Sequence, residues 1–108
     1  MTATLAWGMI AVAIGFEIAG TAMLKLADGF QKPAWFFAAI TAYAVCFAFF
    51  AQAIRHVPLS IAYAVWAGMG AALIVAIDVY VFGQSLTALK VGFIAMIIVG
   101  VVGLKLAS

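Results

Sequence analysis

Charged side chains are scarce in this sequence, and their scarcity excludes several classes of protein. Five Lys or Arg residues and three Asp or Glu residues are present among 108, while 70% of the residues are hydrophobic. Soluble domains contain about 25% charged and about 45–50% apolar residues, so this composition indicates a protein surrounded by lipid. The few basic residues form no cluster, which excludes a nucleic-acid-binding protein because such proteins need a concentrated positive face.

Catalytic and metal-binding groups are also sparse. Cys46 is the only cysteine and His56 the only histidine, so the sequence offers neither an intrachain disulfide nor a ligand set for a metal ion. Acid pairs close in sequence and a glycine-rich phosphate loop are both lacking. We therefore expect a protein that is not an enzyme, that binds no cofactor or metal, and that uses an ion gradient as its energy source.

Four long apolar runs make up almost the whole chain. Since a membrane-crossing helix needs about 20 apolar residues, we predict four transmembrane helices, at about residues 5–26, 34–54, 59–82 and 86–106. A β-barrel would instead show shorter segments of alternating apolar and polar residues. We expect an all-α integral membrane protein whose residues 1–108 form a single four-helix domain. The first run contains an acid and is too long for a secretory signal, so we expect no cleaved leader.

The basic residues give almost no preference for one orientation in the membrane. Lys25, Lys32 and Lys90 fall at one face of the predicted four-helix topology, whereas Arg55 and Lys105 fall at the other. Such a balance permits insertion in both orientations, and four thin helices hardly enclose a solute cavity alone. We therefore expect an oligomer, and an antiparallel arrangement is compatible with the charge balance.

Glu17 lies near the middle of the first predicted span, where an ionised side chain is unfavourable. Insertion scales give at least ~2.5–3.5 kcal/mol for a charge at the bilayer centre, and the five basic residues all lie near span ends. The carboxyl group is therefore either protonated or paired with a cation that arrives from outside. A group that alternates between these states exchanges protons for cations. The alternative is a neutral glutamic acid hydrogen-bonded between helices.

Small residues share a helix face with Glu17. Residues three or four positions away lie on the same face of a helix, and here they predict a cavity lined by Ala13, Ile14, Gly20 and Thr21. Small residues also permit close packing of membrane helices. The sequence alone leaves the cavity and the packing interpretations equally open.

Aromatic residues in the third span supply the second half of a cation site. Tyr63 and Trp66 are three residues apart and share a helix face with Gly70. Aromatic ring faces attract cations, and tyrosine hydroxyls donate hydrogen bonds to carboxylates. We therefore predict that Tyr63 and Trp66 bind a cation together with Glu17. An aromatic belt at the membrane interface is the alternative.

Glycines predict two further features of the third and fourth spans. Gly68 and Gly70 weaken the third helix, so we predict a bend there that serves as a hinge for alternating access. Close packing against a neighbouring helix is the alternative. In the fourth span we predict a dimer seam formed by three glycines, Gly92, Gly100 and Gly103.

The remaining polar residues suggest no further chemistry. Asp78 lies near the end of the third span, and we expect a solvated carboxylate at the interface in preference to a second proton site. His56 and Asp28 lie in or next to predicted loops and receive the same interpretation. Cys46 is expected to act as a small apolar residue.

Three segments together resemble a known family over nearly the whole chain. They are EIAGTAMLK at residues 17–25, the stretch from Pro58 through IAYAVWAGMG at residues 61–70, and FGQ at residues 82–84. In these segments, in length and in its short loops, the chain resembles the small multidrug resistance transporters. The resemblance implies an antiparallel, dual-topology homodimer in the cell inner membrane that exports cationic compounds in exchange for protons.

The resemblance also implies roles for individual residues. Glu17 matches the carboxylate that protons and substrates share, Tyr63 and Trp66 match the binding aromatics, and Tyr43 matches a cavity tyrosine of the second span. Gly68 and Gly70 match the kink of the third span. The fourth span departs from the family pattern, because its glycines at positions 92 and 100 are eight residues apart instead of seven.

The Gly20-Thr21 pair that follows the acid resembles the branch of the family that exports drugs and quaternary ammonium compounds. We therefore expect small cationic substrates and protons as partners, within membrane lipid. Two alternatives stay open at this point. One is a guanidinium or polyamine exporter of the same fold, and the other is a non-transporting half of a heterodimeric pair.

Overall fold

The computed structural model describes residues 2–107 and consists of four α-helices joined by short connections. The helices are α1 (Ala3–Leu26), α2 (Pro33–Ala53), α3 (Leu59–Tyr80) and α4 (Ala88–Ala107). Each is long and apolar enough to cross a membrane, and the described part of the chain contains no strand. The expectation of an all-α membrane protein with four spans is confirmed, whereas the antiparallel dimer stays a prediction.

Local chemistry explains where the first two helices begin and how the chain reverses between them. The Thr2 side chain caps α1 by accepting a hydrogen bond from the backbone N–H of Leu5 at 3.1 Å. Pro33 occupies the first turn of α2, where its missing N–H leaves no helical hydrogen bond unmade. Between the helices, Asp28 and Gly29 have positive φ angles of 51° and 70°. This left-handed turn makes α1 and α2 antiparallel neighbours.

The four helices form a thin layer. In their main contacts, α1 packs against both α2 and α3, and α4 packs against α3. The Cα atoms span 41 × 35 × 16 Å. Two packed helices with axes about 8–10 Å apart span about 13–15 Å between their Cα atoms, so the protomer is about two helices thick. Because the connections between successive helices are short, α1 and α3 point in the same direction across the membrane.

The core lies where α1, α2 and α3 meet. Ile10 and Cys46 are its largest fully buried side chains, and Ala6, Ala13 and Ala62 are fully buried as well. Because lipid is as apolar as these side chains, no hydrophobic force drives membrane helices together. Small side chains let the helices approach closely, and the resulting van der Waals packing stabilises their association instead. α4 contributes much less, because Val101 is its only buried side chain among the described residues.

Candidate functional site

Glu17 projects from α1 toward α3 and holds its two carboxylate oxygens in different surroundings. Oε1 accepts a hydrogen bond from the Thr21 hydroxyl one turn later, at 3.1 Å. Oε2 is buried and has no hydrogen-bond partner within residues 2–107. Burying a carboxylate oxygen without a partner is unfavourable. This oxygen is therefore left to be satisfied by a proton, by water or by a positively charged group from outside the protomer.

A chain of hydroxyl groups orients the carboxylate from the side of α2. The Tyr43 hydroxyl lies 2.6 Å from Oγ1 of Thr21, and Thr21 in turn donates to Glu17. A threonine hydroxyl has one proton to donate, so Tyr43 is the donor in its bond with Thr21. Two side chains, one from α1 and one from α2, thus fix the position of one carboxylate oxygen and leave the other available.

Gly70 of α3 lies directly opposite the available oxygen. A methyl group added at Gly70 would lie 3.0 Å from Oε2 of Glu17 and 3.8 Å from its Cδ atom. The distance of 3.0 Å to Oε2 is shorter than an ordinary van der Waals contact, so a residue larger than glycine would displace the carboxylate. Glycine at this position lets α3 approach the acid closely.

A cavity of about 280 Å³ opens beside the carboxylate, between α1 and α3. Its lining consists of Glu17 and Thr21 from α1 and of five residues from α3, namely Trp66, Ala67, Gly70, Ala71 and Ile74. Most of this wall is apolar, and its single acid is the group with an unpartnered oxygen. A largely apolar cavity with a few polar groups is typical of a small-molecule site, and this one favours a positively charged, partly apolar molecule.

Trp66 is the aromatic centre of the site. Its ring lies 5.9 Å from Phe47, 5.3 Å from Phe50 and 5.6 Å from Tyr63, measured between ring centroids. The indole Nε1 is buried without a hydrogen-bond partner in the described chain. These rings pack around the indole, which lines the cavity, and aromatic rings of this kind attract cations.

Comparison with known proteins gives the family. The sequence profile described as Small Multidrug Resistance protein matches residues 5–97 of the chain. The chain belongs to the small multidrug resistance family. This match covers α1 from residue 5 onward, all of α2 and α3, and the first half of α4, and it therefore includes every residue of the Glu17 cavity.

Three relatives of this small multidrug resistance protein have names that describe a function. The quaternary ammonium compound-resistance protein QacC of Staphylococcus aureus is 36% identical, over 88% of this chain and 89% of its own length. The quaternary ammonium compound-resistance protein QacE of Escherichia coli is 38% identical, over 94% and 93%. The spermidine export protein MdtI of Cronobacter sakazakii is also 38% identical, over 89% and 88%.

The structure brings together part of the predicted site of this family member. Glu17, Thr21 and Trp66 line one cavity, and Tyr43 joins them through its hydrogen bond with Thr21. Tyr63 contacts the Trp66 ring, but it is 56% exposed and does not line the cavity. The binding roles of these residues stay predictions.

The other residues predicted to line the cavity lie elsewhere in this protomer. Ala13 and Ile14 belong to the core, because their face of α1 continues the buried stripe of Ala6 and Ile10. Gly20 is buried against α2, where an added methyl group would lie 3.2 Å from the Tyr43 ring. The cavity extends from Glu17 toward Thr21 and away from Ala13, which the sequence did not indicate.

Three cavity residues were missed by the sequence analysis, namely Ala67, Ala71 and Ile74. They recur at intervals of three or four residues beside Trp66 and Gly70, as one face of a helix does. That spacing was the available signal. A predicted helix face that included the neighbours of Trp66 and Gly70, and that continued toward the end of α3, would have contained all three residues.

The glycines of α3 and α4 have different surroundings. Gly68 faces α4, where an added methyl group would lie 2.7 Å from Cγ2 of Val101 and 3.3 Å from Cγ2 of Ile97. Such contacts are those of close helix packing, and the hinge role of Gly68 and Gly70 stays a prediction. No atom lies within 4 Å of an added methyl group at three glycines of α4, Gly92, Gly100 and Gly103. The dimer seam predicted there also stays a prediction.

Proposed function

We propose that this protein is a proton-coupled antiporter that exports hydrophobic and quaternary ammonium cations, with proton and cation competing for Glu17. The observation that carries the proposal is the buried, unpartnered Oε2 of Glu17 beside a cavity of about 280 Å³. Its walls are apolar and aromatic, as a hydrophobic cation requires. The names of the relatives QacC and QacE, both quaternary ammonium compound-resistance proteins, support this substrate class.

Competition at one oxygen supplies the coupling between the two gradients. A cation near Oε2 favours the charged carboxylate, whereas a proton on that oxygen removes the charge that attracts the cation. Thr21 donates to Oε1 and so leaves Oε2 to receive either partner. Because the two ligands bind different states of the same group, cation bound on one side of the membrane is released when the acid is protonated on the other.

A second copy of the chain completes the transport pathway in this proposal. One protomer is about two helices thick, with a smallest Cα dimension of 16 Å, and only α1 and α3 line its Glu17 cavity. An antiparallel copy would cover the open side and bring a second Glu17 to the site. The nearly equal distribution of Lys and Arg between the two membrane faces supports insertion in both orientations.

Export of polyamines is the second candidate function. It is favoured by the 38% identity with MdtI, whose name describes spermidine export. A substrate panel separates the candidates, because a polyamine or guanidinium exporter should prefer small hydrophilic cations to bulky aromatic ones. Tagging both termini tests the remaining alternative, a non-transporting half of a heterodimer, because such a half is expected to insert in one fixed orientation.

Transport by purified protein in proteoliposomes tests the main proposal. With a pH gradient as the only energy source, the wild type should take up tetraphenylphosphonium, and Glu17→Gln should abolish this uptake. Binding to the wild type should weaken as pH decreases, approaching tenfold per pH unit where one proton displaces one cation, whereas binding to Glu17→Gln should be weak and independent of pH.

Asp28→Asn is the matched control, because Asp28 is an exposed acid in the loop after α1 and asparagine tolerates its positive φ angle. This variant should transport and bind as the wild type does. Substantial proton-driven uptake by Glu17→Gln would contradict the proposal, as would wild-type affinity that does not change with pH.

A further inference from the structure

A second cavity continues from the Glu17 cavity toward the membrane face where α1 and α3 end. It has a volume of about 180 Å³ and shares two lining residues, Thr21 and Ile74, with the first cavity. Lys25 and Asp78 line its outer part. The two cavities therefore follow the same pair of helices, with one acid in each.

The Asp78 carboxylate has no partner in the described chain. Its side chain is partly buried, and within residues 2–107 it forms no hydrogen bond or ion pair, although its backbone carbonyl accepts from Gln84 N–H at 3.0 Å. The basic side chains near Asp78 contact other groups. Lys25 Nζ lies over the Phe82 ring, 5.7 Å from its centroid, and Lys90 Nζ donates to the Ser85 carbonyl at 2.9 Å.

The separation of the two acids follows from helix geometry. Gly70 lies level with the Glu17 carboxylate, and Asp78 is eight residues further along α3. At a rise of about 1.5 Å per residue, the two acids are about 12 Å apart along the helix. The apolar side chain of Ile74 lies between them on the shared wall.

The charges at the outer cavity decide what it can accept. Lys25 alone would repel any cation with a second positive group near the membrane face, because like charges a few ångströms apart disfavour each other. Asp78 offsets that charge and presents an acceptor on the opposite helix. The outer cavity therefore tolerates a positive group, which a cavity with Lys25 alone would exclude.

We propose that Asp78 is a second cation-binding carboxylate, which lets the protein bind elongated dications with one positive group at Glu17 and the other at Asp78. This inference rests on the proposed function, since it requires a cation at Glu17. An apolar linker of the dication would pass Thr21 and Ile74. A molecule with a single charge would use the Glu17 cavity and gain nothing from Asp78.

Competition binding with the purified full-length protein in detergent tests this inference. Labelled tetraphenylphosphonium is displaced by bis(trimethylammonium)alkanes of increasing length and by alkyltrimethylammonium ions with the same number of methylene groups. The advantage of the dication over its matched monocation should be greatest when the two nitrogens are about 12 Å apart. At that length we expect an advantage of about fivefold to tenfold.

Two substitutions assign the effect to the outer cavity. Asp78→Asn should abolish the dication advantage and leave monocation affinity unchanged, which also shows that the variant is folded. Lys25→Met should increase the dication advantage because it removes the repelling charge. Asp28→Asn, which changes an acid outside both cavities, should leave the length profile as in the wild type.

The outcomes that overturn the inference differ from those that overturn the proposed function. A flat length profile, a full dication advantage in Asp78→Asn, or equal losses of monocation and dication affinity in that variant would each refute a role for Asp78 in dication binding. If the wild type fails to bind tetraphenylphosphonium, or if Glu17→Gln binds it equally well at every pH, the proposed function fails instead.

Discussion

The two faces of α3 show how one helix serves two purposes. The face toward α1 has Gly70 against a carboxylate and a cavity lined by Trp66 and Ile74. The face toward α4 has Gly68 against the methyl groups of Val101 and Ile97. Both glycines lack a side chain, but Gly70 makes room for a carboxylate beside a cavity, whereas Gly68 makes room for another helix. The cavity and the helix packing thus lie on opposite sides of α3, beside glycines two residues apart in sequence, and under the proposed function the cavity side is the binding face.

Gly70→Ala should have the largest effect on the binding face. The added methyl group would lie 3.0 Å from Oε2 of Glu17, so it displaces the carboxylate and occupies part of the cavity. Because Oε2 must shift by a few tenths of an ångström and the methyl group takes up cavity space, we expect an affinity for tetraphenylphosphonium about tenfold below that of the wild type, or about 1.4 kcal/mol. Equilibrium binding to purified protein measures this loss.

Gly15→Ala is the matched control for that substitution. Gly15 is a helical glycine of α1 with no atom within 4 Å of an added methyl group, so it makes the same gain in helix propensity without contacting the site. Its affinity should equal that of the wild type. Equal affinities in Gly70→Ala and Gly15→Ala would show that the close approach of α3 to the acid is irrelevant to binding.

The sequence predicted the helices better than it predicted their faces. Each helix begins and ends within two residues of the expected span, because length and hydropathy suffice to recognise a segment that crosses the membrane. Glu17 was recognisable for a related reason, since a charge is conspicuous in an apolar run. Both signals depend on composition alone and not on how the helices pack.

The lining of the cavity depends on helix rotation, which this sequence does not encode visibly. In a soluble protein a polar face marks the outside of a helix, but here the lipid-facing and inward-facing sides are both apolar. Ala13 and Ile14 could therefore be assigned to the cavity although they lie in the core. Ala71 and Ile74 could be overlooked although they line the cavity.

Gly68→Ala should affect stability and not binding. The added methyl group would lie 2.7 Å from Cγ2 of Val101, so α3 and α4 must separate slightly. The cost of overpacking, about 1–3 kcal/mol, is partly offset by the higher helix propensity of alanine, about 0.8–1.0 kcal/mol. We expect the free energy of unfolding in detergent to fall by about 1 kcal/mol.

Val101→Ala combined with Gly68→Ala sharpens this result. Val101→Ala removes the methyl groups that the new methyl group of Gly68→Ala approaches, so the two effects should be non-additive. The double variant should be more stable than the sum of the single effects predicts. Tetraphenylphosphonium affinity should stay at the wild-type value in all three variants. A loss of affinity in Gly68→Ala would mean that the packing face and the binding face are coupled.

Tyr43→Phe should give the smallest effect, because Tyr43 acts on the carboxylate through another side chain. Its hydroxyl lies 2.6 Å from Oγ1 of Thr21, and removing it leaves the bond from Thr21 to Glu17 in place. Hydrogen bonds between membrane helices contribute about 0.6 kcal/mol on average, so we expect cation affinity to fall about threefold or less. The control is Tyr80→Phe, which removes a hydroxyl from an exposed tyrosine at the end of α3 and should change nothing.

Thr21→Val separates the indirect contribution of Tyr43 from the direct one of Thr21. This substitution removes the donor to Oε1 itself, so it disfavours the charged carboxylate and lets the proton compete more strongly with the cation. Its affinity should fall further than that of Tyr43→Phe, and the pH dependence of binding should move to higher pH. If Tyr43→Phe caused the greater loss, Tyr43 would have to contact the bound cation directly and not through the Thr21 hydroxyl.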